Sequence, residues 1–71
     1  MFEREFSVEC FNGVGSTGEN RYAFKTFDRF ATAELWAQER LQDEQCHHVE
    51  IWSNLKTGRS WELQKRYTKE L

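Results

Sequence analysis

Long apolar runs are missing from this chain. No uninterrupted stretch among its 71 residues exceeds three apolar side chains, whereas a membrane-spanning helix needs about 20. The opening MFEREFSVEC also lacks the apolar h-region of a secretory leader. The sequence therefore predicts a cytoplasmic chain with no membrane contact. Cysteine is scarce as well. Cys10 and Cys46 are the only two, too few for a disulfide framework, and free thiols suit a reducing compartment. Charge of one sign is not in excess: 10 Lys and Arg against 12 Asp and Glu give a net charge of −2. That balance provides no general affinity for nucleic acid or anionic lipid.

Aromatic side chains are plentiful. Six Phe, three Trp and two Tyr suggest how a chain this short gathers a core, since a large ring buries roughly 150–250 Å². A chain of this length buries only about 60% of the surface its unfolded form exposes, and one domain, residues 1–71, is expected. Charge is unevenly spread. Residues 1–45 carry 9 acidic and 5 basic side chains, and residues 46–71 carry 3 acidic and 5 basic, so the basic excess lies in the last third.

Residues 2–10 alternate, with Phe2, Phe6, Val8 and Cys10 on one side and Glu3, Glu5, Ser7 and Glu9 on the other. This period of two predicts a half-buried strand. Residues 21–27, RYAFKTF, repeat it. A hairpin pairing Glu9 with Arg21 and Glu5 with Lys25 places two opposite-charge pairs across the strands. It also gathers Phe6, Val8, Tyr22 and Phe24 on the core face. From Asp28, a plausible N-cap, the period changes. A helix over residues 29–44 puts Phe30, Ala33, Ala37 and Leu41 on one stripe, Trp36 at its margin and Leu35 facing away. Residues 47–54 and 59–67 return to period two, joined by Lys56-Thr57-Gly58 as a three-residue hairpin loop. Setting Ile51 against Leu63 and Ser53 against Trp61 gives a core face of Val49, Ile51, Leu55, Trp61, Leu63 and Tyr67. His48, Glu50, Trp52, Glu62, Gln64 and Arg66 fall on the opposite face. The predicted fold is α+β: ββαββ, a four-stranded antiparallel sheet in the order 2-1-3-4 with one helix packed on one face.

Gly13, Gly15 and Gly18 spell GxGxxG, the pattern of dinucleotide-binding loops. That chemistry requires the glycines between a strand and a helix, whose N-terminus meets the pyrophosphate. Here a strand follows them, so the stretch reads as a hairpin loop whose glycines permit positive φ, and no cofactor is expected. Cys46, His47 and His48 offer metal-ligand chemistry. Successive strand residues point to opposite faces, however, and no CxxC or HxxxH spacing joins them, so no metal site is expected. Cys46 is placed at a strand edge and both histidines near the surface. No pattern places an acid beside a histidine and a nucleophile, and no catalytic residue is assigned.

Surface chemistry remains. Trp52 lies on the sheet face away from the helix, with His48 and Arg66 beside it and Arg59 close in sequence, while Leu35 lies on the outer surface of the helix. The expected function is a small non-enzymatic protein–protein interaction module, its partner another protein or a second copy of the chain. The candidate contact residues are Leu35, His48, Trp52, Arg59 and Arg66. The alternative is a weak single-stranded nucleic-acid binder, stacking bases on Trp52 and meeting phosphates with the basic C-terminal hairpin. In size and layout the chain resembles the small accessory proteins that bacteria, plasmids and phages encode.

Overall fold

A computed structural model describes residues 4–55 and 60–69. The chain forms β1 (Arg4–Phe11), β2 (Arg21–Phe27), α1 (Phe30–Leu41), β3 (His48–Leu55) and β4 (Glu62–Thr68). The strands make one antiparallel sheet in the order β2-β1-β3-β4. This is the expected ββαββ arrangement, with α1 against one face. The Lys56-Thr57-Gly58 loop and Arg59 lie outside the described residues.

The helix begins one residue later than the sequence suggests. Its N-cap is Arg29, whose backbone is extended and whose side chain makes no cap hydrogen bond. It ends at Leu41, three residues short of the expected limit, because a tight turn follows. Asp43 N–H donates to the Arg40 carbonyl, and the Asp43 carboxylate accepts the Gln45 N–H at 3.1 Å. Such an Asx turn offers the backbone an alternative to further helix. Ala33 and Ala37 are fully buried against Val8, Cys10, Cys46, Val49 and Ile51. Their small side chains let the helix lie close to the sheet. Phe6, Phe27, Phe30, Trp36, Leu41 and Tyr67 close the margins of this core. On the outer strand, the Tyr67 hydroxyl donates to the Glu34 carboxylate and Lys65 reaches it at 3.4 Å, tying β4 to the helix.

Two registers differ from the expectation, and each difference contains a bulge. In the first hairpin Phe6 pairs with Phe27, Val8 with Lys25 and Cys10 with Ala23, and Tyr22 is the extra residue before Arg21 meets Phe11. Glu9 therefore stands opposite Phe24, and Glu5 lies beyond the pairing. An odd offset exchanges the faces of a strand, so Phe24 leaves the core side and is 60% exposed. What replaces it fits the helix better: Phe27 lies 5.8 Å from the Trp36 ring, and small Ala23 sits beside Cys10. The Glu9–Arg21 ion pair forms nonetheless, at 2.6 Å, as a diagonal contact across the bulge.

In the second hairpin Trp52 pairs with Leu63 and Ser53 with Glu62, and Gln64 is the extra residue opposite the Ile51–Trp52 step. Trp61 and Leu63 therefore turn away from the helix, 41% and 48% exposed. Gln64 turns toward the helix side, where its amide donates to the Ser53 hydroxyl at 2.7 Å. Exchanging apolar Leu63 for Gln64 there gives buried Ser53 a second polar partner beside Arg4, whose Nη1 donates to the same hydroxyl at 3.3 Å.

Candidate functional site

The loop from Asn12 to Asn20 does more than connect two strands. It is closed by the Asn12 N–H donating to the Asn20 carbonyl at 2.9 Å, and by the Asn20 and Arg21 N–H groups sharing the Thr17 carbonyl. As expected, it contains no helix. None of the described glycines has positive φ, contrary to the sequence expectation. What Gly13 supplies is closeness: a Cβ there would meet the Asn20 amide at 3.1 Å, and that amide donates to the Gly15 carbonyl at 3.0 Å.

So shaped, the loop folds over one end of the sheet face opposite the helix. Ser16 is its anchor. The Ser16 hydroxyl donates to Glu50 Oε2 at 2.5 Å and lies 3.0 Å from His48 Nε2. Beneath it Phe11 stacks on the His48 ring, with centroids 4.7 Å apart and planes 11° from parallel. His48 is fully buried and Glu50 is 4% exposed. The expectation of surface histidines is thus corrected for His48, because it did not reckon with a loop that returns over the sheet. His47 precedes the strand, so alternation does not separate the two rings. They meet edge to face, with Nδ1 of one 2.8 Å from Nδ1 of the other.

With the Ser16 hydrogen directed at Glu50, a neutral His48 donates from Nε2 to the Ser16 oxygen, and its Nδ1 faces Nδ1 of His47. Burial, then the charge of Arg66, holds the His48 pKa below its ordinary value of 6.5, which keeps the ring neutral. Ser, His and Glu are therefore together, a grouping that sequence reasoning missed. A nucleophile needs its proton on the base and an acid behind that base. Here the serine proton points to the carboxylate, and another histidine stands behind the ring. Through these two contacts the grouping ties the loop to the sheet as a latch.

Glu50 also links the latch to the part of the face left open. Its second oxygen accepts the Trp52 indole N–H at 3.0 Å, and Arg66 Nε stands 4.0 Å from Oε2. Beyond Trp52 the loop no longer covers the sheet among the described residues. The ion pair of Glu9 and Arg21 lines a recess of about 420 Å³ there together with Ser7, Phe24, Thr26, Trp52 and Trp61, with Leu63 paired beside Trp52.

The chain matches no known protein family, curated protein or solved structure.

Of the residues selected from sequence, Trp52 and Arg66 share the open side of the sheet. Trp52 is half-buried at the edge of the recess. His48 lies under the loop, and Leu35, 65% exposed, is on the helix in the opposite layer, so it joins neither. Arg59 lies outside the described residues. Phe24, Trp61 and Leu63 were missed as surface residues because their register was misassigned. Cys46, expected at a strand edge, is instead buried beside Cys10. Burial first, then the proximity of Cys46, pushes the Cys10 thiol up to about 12, and burial raises Cys46 likewise. Both sulfurs are held as neutral thiols. Among the described residues no group of three His, Cys, Asp or Glu side chains could hold a metal ion, and no helix is long and apolar enough to cross a membrane.

Proposed function

We propose that this chain is a non-enzymatic protein-binding module of the cytoplasm, and that it binds through the open part of its sheet. The observation that carries this reading is the gathering of exposed Phe24, Trp61 and Leu63 around Trp52 on one face. Scattered surface apolar residues need no explanation, but a contiguous aromatic patch with polar edges is the form of an interaction site. Trp is also among the residues most enriched at binding hot spots. The cytoplasmic placement is supported by two buried, unpaired thiols, and the non-enzymatic reading by the direction of the Ser16 proton.

Nucleic acid fits the same surface less well. Glu5 and Glu9 share it, and the arginines described on it stand beside carboxylates, Arg21 with Glu9 and Arg66 beside Glu50. Phosphate binding requires cations that release counterions. The test is capture from a nuclease-treated lysate of the source cells by immobilised wild type, Trp61→Ala and an Arg59→Gln/Arg66→Gln variant. The expected result is a protein that survives nuclease and high salt and is held roughly 30-fold more weakly by Trp61→Ala, the loss of a hot-spot contact. Capture that vanishes with nuclease, or that depends on the two arginines and falls steeply with salt, would reverse the reading in favour of nucleic acid.

A further inference from the structure

We propose that a cavity on the helix side of the sheet, where α1 begins, binds a small zwitterion with an apolar side chain, a free α-amino acid such as phenylalanine. The cavity holds about 430 Å³ and is lined by Arg4, Phe6, Phe30, Ser53, Glu62 and Gln64. It lies across the sheet from the open face, so the site stands apart from the protein-binding reading. Three observations support it.

The first is the wall the fold builds there. Phe6, Ser53 and Glu62 form one row across β1, β3 and β4, and strand alternation turns all three, with Arg4, toward the helix side. α1 starts only at Phe30, whose ring meets that of Phe6 edge to face at 5.7 Å. The two rings offer an apolar surface to a ligand side chain. The volume falls within the range of about 300–1,000 Å³ usual for small-molecule sites.

The second is charge. Arg4 and Glu62 both line the cavity, yet no ion pair joins them, and among the described residues neither has another ion-pair partner. Two opposite charges left apart around one cavity match a molecule that carries both, its carboxylate on the guanidinium and its ammonium on Glu62. A simple anion would meet Glu62 as a repulsion, and a simple cation would meet Arg4 in the same way. Such repulsions select the zwitterion over either.

The third is an unmet donor. Ser53 is 1% exposed, and its hydroxyl oxygen accepts from the Gln64 amide at 2.7 Å and from Arg4 Nη1 at 3.3 Å. Both lone pairs are thereby used, and the hydroxyl hydrogen has no acceptor among the described residues. A carboxylate held by Arg4 supplies one, because guanidinium and hydroxyl are already in contact. A buried donor gains most from a partner of this kind.

The experiment is a titration of isotope-labelled protein, followed through its backbone amide signals, with L-phenylalanine as the probe. The signals of Phe6, Phe30, Ser53 and Gln64 should shift together and saturate with a dissociation constant of roughly 1 mM or below, in keeping with a ligand of about a dozen non-hydrogen atoms. Phenylpropionate, which lacks the ammonium, and phenethylamine, which lacks the carboxylate, should each bind at least about tenfold more weakly, the loss of one charged contact. Arg4→Gln should weaken L-phenylalanine by a similar factor and phenethylamine not at all. Glu62→Gln should weaken L-phenylalanine and leave phenylpropionate no weaker. The analogue comparison needs wild type alone, so it stands whether or not the variants fold. Signals unmoved by about 20 mM L-phenylalanine, analogues that bind as tightly as the amino acid, or saturating shifts centred on Trp52 and Trp61 would each overturn the proposal.

Discussion

Ser16, His48 and Glu50 form a polar cluster that ties the loop to the sheet. His48 is faced by His47, Glu50, Arg66, Ser16, the Gly13 backbone and the Phe11 ring. A second proton on its ring would place a charge where burial and the nearby Arg66 both disfavour it. In the unfolded chain the ring protonates near its ordinary 6.5. In the folded chain burial and Arg66 lower that value, so the unfolded state binds more protons between the two. Stability is fully present above the unfolded value and declines as pH falls through this window. Urea midpoints measured from about pH 7.5 to pH 5 should fall, and His48→Gln, which removes the titrating ring, should flatten the decline. A wild-type profile as flat as that variant's would show that the ring is not held as described. Little of the latch was legible beforehand. His48 and Glu50 are two apart on one strand, so their shared face could be read, but Ser16 reaches them across 32 residues through the return of the loop.

At the scale of elements, the uncapped start of α1 is a specific weakness. Arg29 has the extended backbone of an N-cap, φ −131° and ψ 138°, but no side-chain oxygen to satisfy the free N–H groups of the first turn, and that turn contains no acidic residue. Arg29→Ser should raise stability by about 1 kcal/mol. A urea midpoint unchanged or lowered at constant m-value would count against it. The same element shows what sequence conveys and what it does not. The apolar spacing of Phe30, Ala33, Ala37 and Leu41 indicated the helix and its buried face, yet its ends depended on which of two adjacent residues, Asp28 or Arg29, took the cap, and on the turn at Asp43. The strands were readable because alternation is a property of each strand alone. Register is a property of two strands, and here it is set by extra residues at Tyr22 and Gln64, for which alternation carries no signal. One consequence fell on the site. Trp52 was placed on the open face from its own strand, while Phe24, Trp61 and Leu63 were assigned to the core through pairings that the bulges displace.

For the whole molecule, those displaced aromatics change where stability comes from. The aromatic content of the sequence suggested a ring-filled core, in which Phe24→Ala or Trp61→Ala would be severe. In the folded chain Phe24 stands 60% exposed with the Arg21 guanidinium 5.0 Å from its ring centre, and Trp61 is 41% exposed. Truncating either in the isolated monomer should cost less than about 1 kcal/mol, as expected away from buried features. Ile51 is fully buried under the helix, and Ile51→Ala should cost about 2–5 kcal/mol. Urea unfolding of the purified variants compares the three directly. A large loss for Phe24→Ala or Trp61→Ala would return these rings to the core and remove the open face as a binding surface.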